Sequence, residues 1–274
     1  LIGIFAGTLL KRPLVVTIHG SDFRMAMTYP SLLKIFLYIC KKSQHITCVS
    51  EEQKREIERL GIKKDKISVF PMGMDETFMG VGKSRKQGSA SRPLAVLSNR
   101  NLLPIYNVSL LIRAIPMVLK EEPHTKFFIA GDGSERDHLE QEVKNLNIDS
   151  SVLFLGRVPP EEMPNLLART DIYVSTSLHD GTSVSLLEAM ACGAFPVVTD
   201  IQSNREWISD GENGFLVSPE SEALLSKRIV EAIRNHELLV EASEKNLKII
   251  EQKAYWMNHI QGMGEIYAKV ANLI

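Results

Sequence analysis

The chain has 274 residues, 44% of them hydrophobic and 24% charged, with a formal net charge of -1. At roughly 150 residues per domain, that length predicts two domains, or one domain and a large piece of another. The composition excludes disorder, a collagenous repeat and a disulfide framework, and the near-zero charge removes the bulk electrostatic case for a nucleic-acid partner.

Three cysteines (Cys40, Cys48, Cys192) are odd in number and share no metal-ligand spacing. They read as small buried hydrophobes in a reducing compartment. No apolar run reaches the ~18 residues of a membrane span. The opening Leu1-Ile2-Gly3-Ile4-Phe5 starts inside a hydrophobic pattern without a basic leader, so a missing upstream portion is expected.

In chain order, Leu14–Ile18 is a β-branched run feeding the polar loop His19-Gly20-Ser21-Asp22. A helix is expected over Leu32–Lys42 and a strand over Ile46–Val49. Ser50 is the expected N-cap of a helix over Glu51–Leu60, and Ile67–Phe70 is a strand. Residues 80–92 are rich in Gly, Ser, Lys and Arg and are the expected linker. After it, strands are expected at Leu94–Ser98, Lys126–Ala130, Val152–Leu155, Ile172–Ser175, Pro196–Thr199 and Gly214–Val217. Helical stretches lie between most of them: Val108–Lys120, Glu135–Leu146, Pro160–Arg169 and Ser183–Cys192. This alternation predicts a parallel sheet covered on both faces. Leu224–Ile233 and Trp256–Ile274 are expected to close the chain as helices.

Ligands of such sheets bind beyond the carboxyl ends of the strands. After Ile172–Ser175 comes His179-Asp180-Gly181-Thr182-Ser183-Val184, then Glu188 within a helix. The amides from Thr182 to Val184 are expected to make an anion site at the positive end of the helix dipole. At about 100° per residue, eight residues place Glu188 about 80° past two full turns from Asp180. Taken alone, Asp180 is a helix cap and Glu188 a solvated acid.

The stretch from Asp180 through Ala189-Met190-Ala191-Cys192-Gly193 and Pro196-Val197-Val198 resembles the signature of retaining family 4 (group 1) glycosyltransferases of the GT-B fold. Val49-Ser50-Glu51, Pro71-Met72-Gly73-Met74-Asp75, Ala130-Gly131-Asp132-Gly133, Leu155-Gly156-Arg157-Val158 and Asn204-Arg205-Glu206 extend the resemblance in order. It implies an α/β GT-B architecture: a partial N-terminal, acceptor-side Rossmann-like domain over 1–79 and a linker over 80–92. A complete nucleotide-sugar domain would follow over 93–250, then a C-terminal helix over 251–274 that either returns to the first domain, with Trp256 and Tyr267 at the junction, or stays on the second domain as a simple amphipathic helix.

The resemblance also implies site roles. Asp180 would contact the donor sugar, and Gly181, Thr182, Ser183 and Val184 the sugar and diphosphate. Glu188 would bind the ribose. Gly133 would lie beside the nucleotide, and Val158 at the base. Arg100 would grip phosphate, and Tyr106 stands where the family carries a lysine. His19 would hydrogen-bond the sugar from the first domain; a loop histidine held by Asp22 is the plainer alternative. The acid is more often Glu than Asp at position 180. His45, His124, His138, His236 and His259 read as solvated or helix-end residues, and His179 stays open.

No Asp-x-Asp occurs, so neither a metal nor another cofactor is expected. The implied activity is transfer of a sugar, with retention, from a nucleotide diphosphate sugar to a carbohydrate or lipid-linked acceptor in the cytoplasm, or at the inner face of the membrane. A degenerate donor-binding or assembly module, and a sugar-nucleotide epimerase on the same fold, are the alternatives. Lys11-Arg12 and Lys41-Lys42 flank apolar stretches; solvated ends of a core helix explain them, and a peripheral membrane contact is the alternative.

Overall fold

The computed structural model describes residues 3, 7, 9–84 and 94–271. The chain forms two compact units, Leu1–Gly73 with Lys253–Ile274, and Met74–Gln252. Among the described residues, no helix is long and apolar enough to cross a membrane.

The first unit holds a parallel sheet in the order β1 (Val15–Ile18), β2 (His45–Cys48), β3 (Ile67–Val69). Its core joins Ile18, Ile46, Cys48 and Ile67 to Phe23, Cys40 and Ile57 from α1 (Ser21–Thr28), α2 (Pro30–Lys42) and α3 (Glu51–Arg59). Ser50 caps α3 as expected, accepting from the Gln53 amide at 3.2 Å. The expected loop at Ser21-Asp22 is instead a helix start. The Asp22 carboxylate turns back to accept from the Gly20 and Phe23 amides, each at 2.9 Å, and so stabilises the first turn of α1. The terminal helix, Trp256–Ala271, belongs to this unit: His259 meets Phe70 edge-on at 5.8 Å. Trp256 lies over Gly73, while both Trp256 and Tyr267 stay half exposed.

The second unit opens with α4 (Glu76–Ser84). Gly80–Ser84, expected as linker, are therefore helical, and the remainder of that stretch, 85–92, lies outside the described residues. The cause is packing: a Cβ on Gly82 would collide with the Ala191 carbonyl, so glycine lets α4 seat on the next layer. Then follow β4 (Ala95–Ser98), α5 (Val108–Glu121), β5 (Lys126–Ala130), α6 (Arg136–Asn145), β6 (Val152–Gly156) and α7 (Met163–Ala168). β7 (Ile172–Ser175), α8 (Val184–Ala191), β8 (Phe195–Thr199), α9 (Gln202–Arg205), β9 (Phe215–Val217), α10 (Glu222–Arg234) and α11 (His236–Lys253) complete it.

All its strand pairs are parallel, in the order β6-β5-β4-β7-β8-β9. Every residue of β7 and β8 is buried, as apolar strands covered on both faces require. The chain winds one way from β4 and the other way from β7, so the topological switch falls between these two strands. Their ladder is short, Val96↔Ile172 and Leu97↔Tyr173, whereas β7 and β8 share four pairs. The two strands thus part at their carboxyl ends, and that opening positions the site.

Candidate functional site

Arg100 leaves β4 and Asp180 leaves β7, so the switch point brings them together. Arg100 Nη2 donates to both Asp180 carboxylate oxygens, at 2.9 and 2.8 Å. Its Nη1 donates to Ser183 Oγ at 2.8 Å and to Ser185 Oγ at 2.7 Å. The Tyr106 ring stacks on the guanidinium, 4.3 Å from its centroid. Tyr173, wholly buried, donates its hydroxyl to Ser185 at 2.9 Å. Burial disfavours the Arg100 charge, yet Tyr173 and Asp180 beside it raise its pKa, so it remains a cation.

This geometry corrects one expectation. Asp180 is not the helix cap: Ser183 is, its Oγ accepting from the Leu186 amide at 3.4 Å. Asp180, Ser183 and Ser185 take the two terminal nitrogens of Arg100, while its buried Nε has no hydrogen-bond partner. Gly181, Thr182 and Val184 sit half-buried along the same loop and helix start. Sequence reasoning missed Ser185 and Tyr173. A serine among Leu186, Leu187 and Ala189 on a buried helix was the available signal, since a buried hydroxyl requires a partner.

Glu188 stands one turn beyond Ser185, half-buried, and accepts a hydrogen bond from Asn99. Burial pushes its pKa up to about 7, with help from the Asp75 carboxylate; Arg100 and Asn99 pull the other way. It is therefore not the solvated acid that the isolated sequence suggests. Asp75, noted in the sequence only as the end of the Pro71–Asp75 motif, and Asn99, not noted there, join the surroundings of Glu188.

Gly131 and Gly133 pack against the backbone that carries Arg100. A Cβ on Gly133 would collide with the Leu102 carbonyl, and one on Gly131 with that of Arg100. The Leu102 amide donates to the Asp132 carbonyl at 3.0 Å, locking the turn to the loop after β4. Val158 lies with Leu155, Arg157, Glu162, Leu166 and Arg169 around a cavity of about 440 Å³. Among the described residues, no group of three or more His, Cys, Asp or Glu is placed to hold a metal ion.

His19 lies in the first unit, exposed after β1, its amide held by Asp22 at 3.2 Å. His259 is buried rather than solvated. His45 is half-buried and bonded to Ser68 Oγ at 2.9 Å; burial lowers its pKa, as do Lys269 and Lys66.

Parallel sheets of Rossmann type with a site at the switch point define the class, and the architecture is that of GT-B glycosyltransferases. The chain matches Anabaena HepE in complex with UDP with a TM-score of 0.83 at 21% identity, over 98% of this chain and 75% of that one. Staphylococcus aureus TarM, in complex with UDP and other ligands, gives 0.71 at 21% identity, over 88% and 46%. The model for glycosyl transferases group 1 matches residues 82–249, and that for glycosyltransferase family 4 matches residues 1–78. The chain belongs to the group 1 glycosyltransferases.

N-acetyl-alpha-D-glucosaminyl L-malate synthase of Bacillus anthracis is 27% identical over 229 residues, 82% of this chain and 59% of the relative. The phosphatidylinositol N-acetylglucosaminyltransferase GPI3 subunit of Saccharomyces cerevisiae is 26% identical over 258 residues, 87% and 54%. The chain thus spans little more than half the length of these two relatives.

Proposed function

We propose that the chain carries the donor half of a glycosyltransferase that moves a sugar, with retention and without a metal, from a nucleoside diphosphate sugar to an acceptor hydroxyl. One observation carries this reading. In a member of group 1, the switch point sets the start of α8, the positive end of its dipole, beside an acid pushed toward neutrality. The amides at 181–184 meet the leaving diphosphate and stabilise its developing charge. Glu188 accepts from the ribose hydroxyls. Gly133 holds the neighbouring turn, and Val158, in the loop after β6, meets the base. His19 keeps the sugar-facing role implied for it.

UDP is the nucleotide to test first, because HepE and TarM were crystallised with it. Calorimetric titration with UDP is expected to show saturable binding that Glu188→Ala abolishes. A well-folded chain that takes up neither UDP, GDP nor ADP would sink the proposal.

The acceptor is a carbohydrate or a lipid-linked sugar. The first unit favours the lipid case: Met25, Tyr29 and Tyr38 are exposed along α1, α2 and the joint between them, and Lys34, Lys41 and Lys42 are exposed on α2. Such a face suits an anionic lipid surface. Vesicles containing anionic lipid are expected to co-sediment the chain at low salt and release it at high salt; equal recovery without the anionic lipid rejects the contact.

One further observation supports a second reading. Tyr106 replaces a cation and Arg100 is already paired, which suits a donor-binding module without catalysis. Sugar transfer by a longer natural chain decides for the enzyme; donor binding without transfer decides for the module.

A further inference from the structure

We propose that β6 is an assembly edge, on which a second copy of this chain pairs its own β6 antiparallel, about a two-fold axis at Leu153. The pairing involves the second unit alone and does not depend on the donor-site reading.

β6 ends the larger sheet and pairs on one side only, with β5. The Phe127 amide donates to the Ser151 carbonyl at 2.9 Å, with Phe127 in register with Val152. In a parallel ladder, that register turns the backbone groups of Ser151 and Leu153 toward β5 and those of Val152 and Phe154 outward. Among the described residues, no strand meets the outer side. The edge is apolar: Leu153 is 54% exposed, and Phe154 and Leu155 are half-buried. Folded sheets guard such edges with charge, proline or a covering group. The opposite edge has its guard, because the Asp210 carboxylate accepts from the Leu216 amide of β9 at 2.9 Å. Val152–Leu155 carries neither a charge nor a proline.

Backbone geometry and charge together select the occupant. Antiparallel pairing sets outward groups opposite outward groups. Val152 opposite the second copy's Phe154 meets that condition, and the two-fold axis repeats it, with both hydrogen bonds exchanged at each pair. Leu153 then faces its own counterpart at a position without ladder bonds, where side chains approach most closely. The same register sets Asp149 opposite the second copy's Arg157, twice. Asp149 is exposed, and the Arg157 side chain is 85% exposed, held only at 3.8 Å from Asp132. An axis at Val152 or at Phe154 would set Asp149 opposite Leu155 or Pro159 instead. The cavity of about 440 Å³ at this end of β6 receives the incoming carboxylate, with Arg157 and Arg169 on its wall against the one acid, Glu162. The ladder is short: Gly156 turns away with a φ of +68°, and Lys126 takes the Ser150 carbonyl at 2.9 Å.

Sedimentation velocity of this chain should show a monomer–dimer equilibrium that shifts with concentration. Leu153→Asp sets two carboxylates on the axis and should abolish the dimer. Asp149→Arg and Arg157→Asp should each weaken it by roughly tenfold, since each turns two attractions into repulsions. The charge-swapped double variant should regain the wild-type affinity. Leu153→Cys should cross-link two copies under mild oxidation, because facing residues without ladder bonds stand within disulfide reach. Cys40, Cys48 and Cys192 are buried and do not compete.

A chain that stays monomeric at every concentration overturns the proposal. So does a dimer that Leu153→Asp leaves intact, which would place the contact elsewhere. A double variant no tighter than the single ones removes the charge pairing, and with it the case for a second copy. All three side chains are exposed, so these substitutions leave the fold in place. Wild-type dimers whose Leu153→Cys form does not cross-link would also be decisive against this edge.

Discussion

Glu188 is the titrating centre of the site. Its carboxyl ionises near 4.5 when unperturbed and near 7 in the fold, chiefly because it is buried. Between those values the folded state binds the proton more tightly, so stability falls as pH rises from about 4.5 through about 7. Glu188→Gln removes the penalty. It should stabilise the protein by on the order of 2–3 kcal/mol at high pH and leave it unchanged below the unfolded pKa. Urea unfolding of both proteins across this range checks the sign; an equal offset at every pH would be wrong for this cause. UDP binding should also strengthen through about pH 7, since a ribose diol donates to a carboxylate better than to a carboxyl group. The glutamine variant should bind with no such pH dependence.

At the scale of elements, caps and glycines decide local structure, and their legibility depends on what reaches them. Ser50 was legible as a cap because its partner, Gln53, lies three residues on. The cap of α8 was not. Asp180 and Ser183 are both good capping residues, and the choice between them is made by Arg100, eighty positions away, which draws Asp180 to itself. Glycines 80 and 82 made α4 look like linker, although one of them exists to seat the helix on α8. Removing the α8 cap has a calculable cost. Ser183→Ala loses a cap worth about 1 kcal/mol and leaves a buried Arg100 donor unmet for a further ~1–3 kcal/mol. Chemical denaturation should show a total loss of about 2–4 kcal/mol; a loss under half a unit on that scale would mean Arg100 has found another acceptor.

Across the whole molecule, the alternation of strands and helices was readable from hydrophobic runs, and so was the parallel character of the larger sheet. Strand order was not readable from any one run: it follows from right-handed crossovers and from where the winding reverses. Nor was the unit boundary. Composition changes at residues 80–92, but packing divides the chain at Gly73 and Met74, and returns the last helix to the first unit. A core truncation shows whether the units unfold separately. Phe195, packed edge-on against Phe215 at 5.1 Å, is almost fully buried in the second unit. Phe195→Ala should cost about 3–5 kcal/mol. Hydrogen exchange should quicken in β4–β9 and stay the same in β1–β3; parallel loss in both sheets would show one cooperative body.

The short ladder between β4 and β7 has a geometric consequence. Backbone pairing stops at Leu97 and Tyr173, and beyond it the lips of the opening are joined by the Arg100–Asp180 pair. The gap between the two loops is therefore gauged by a side-chain length. One methylene more, as in Asp180→Glu, lengthens that spacer by about 1.5 Å, a carbon–carbon bond. The width of the opening can therefore be reset at one position, with the rest of the crevice lining left as it is.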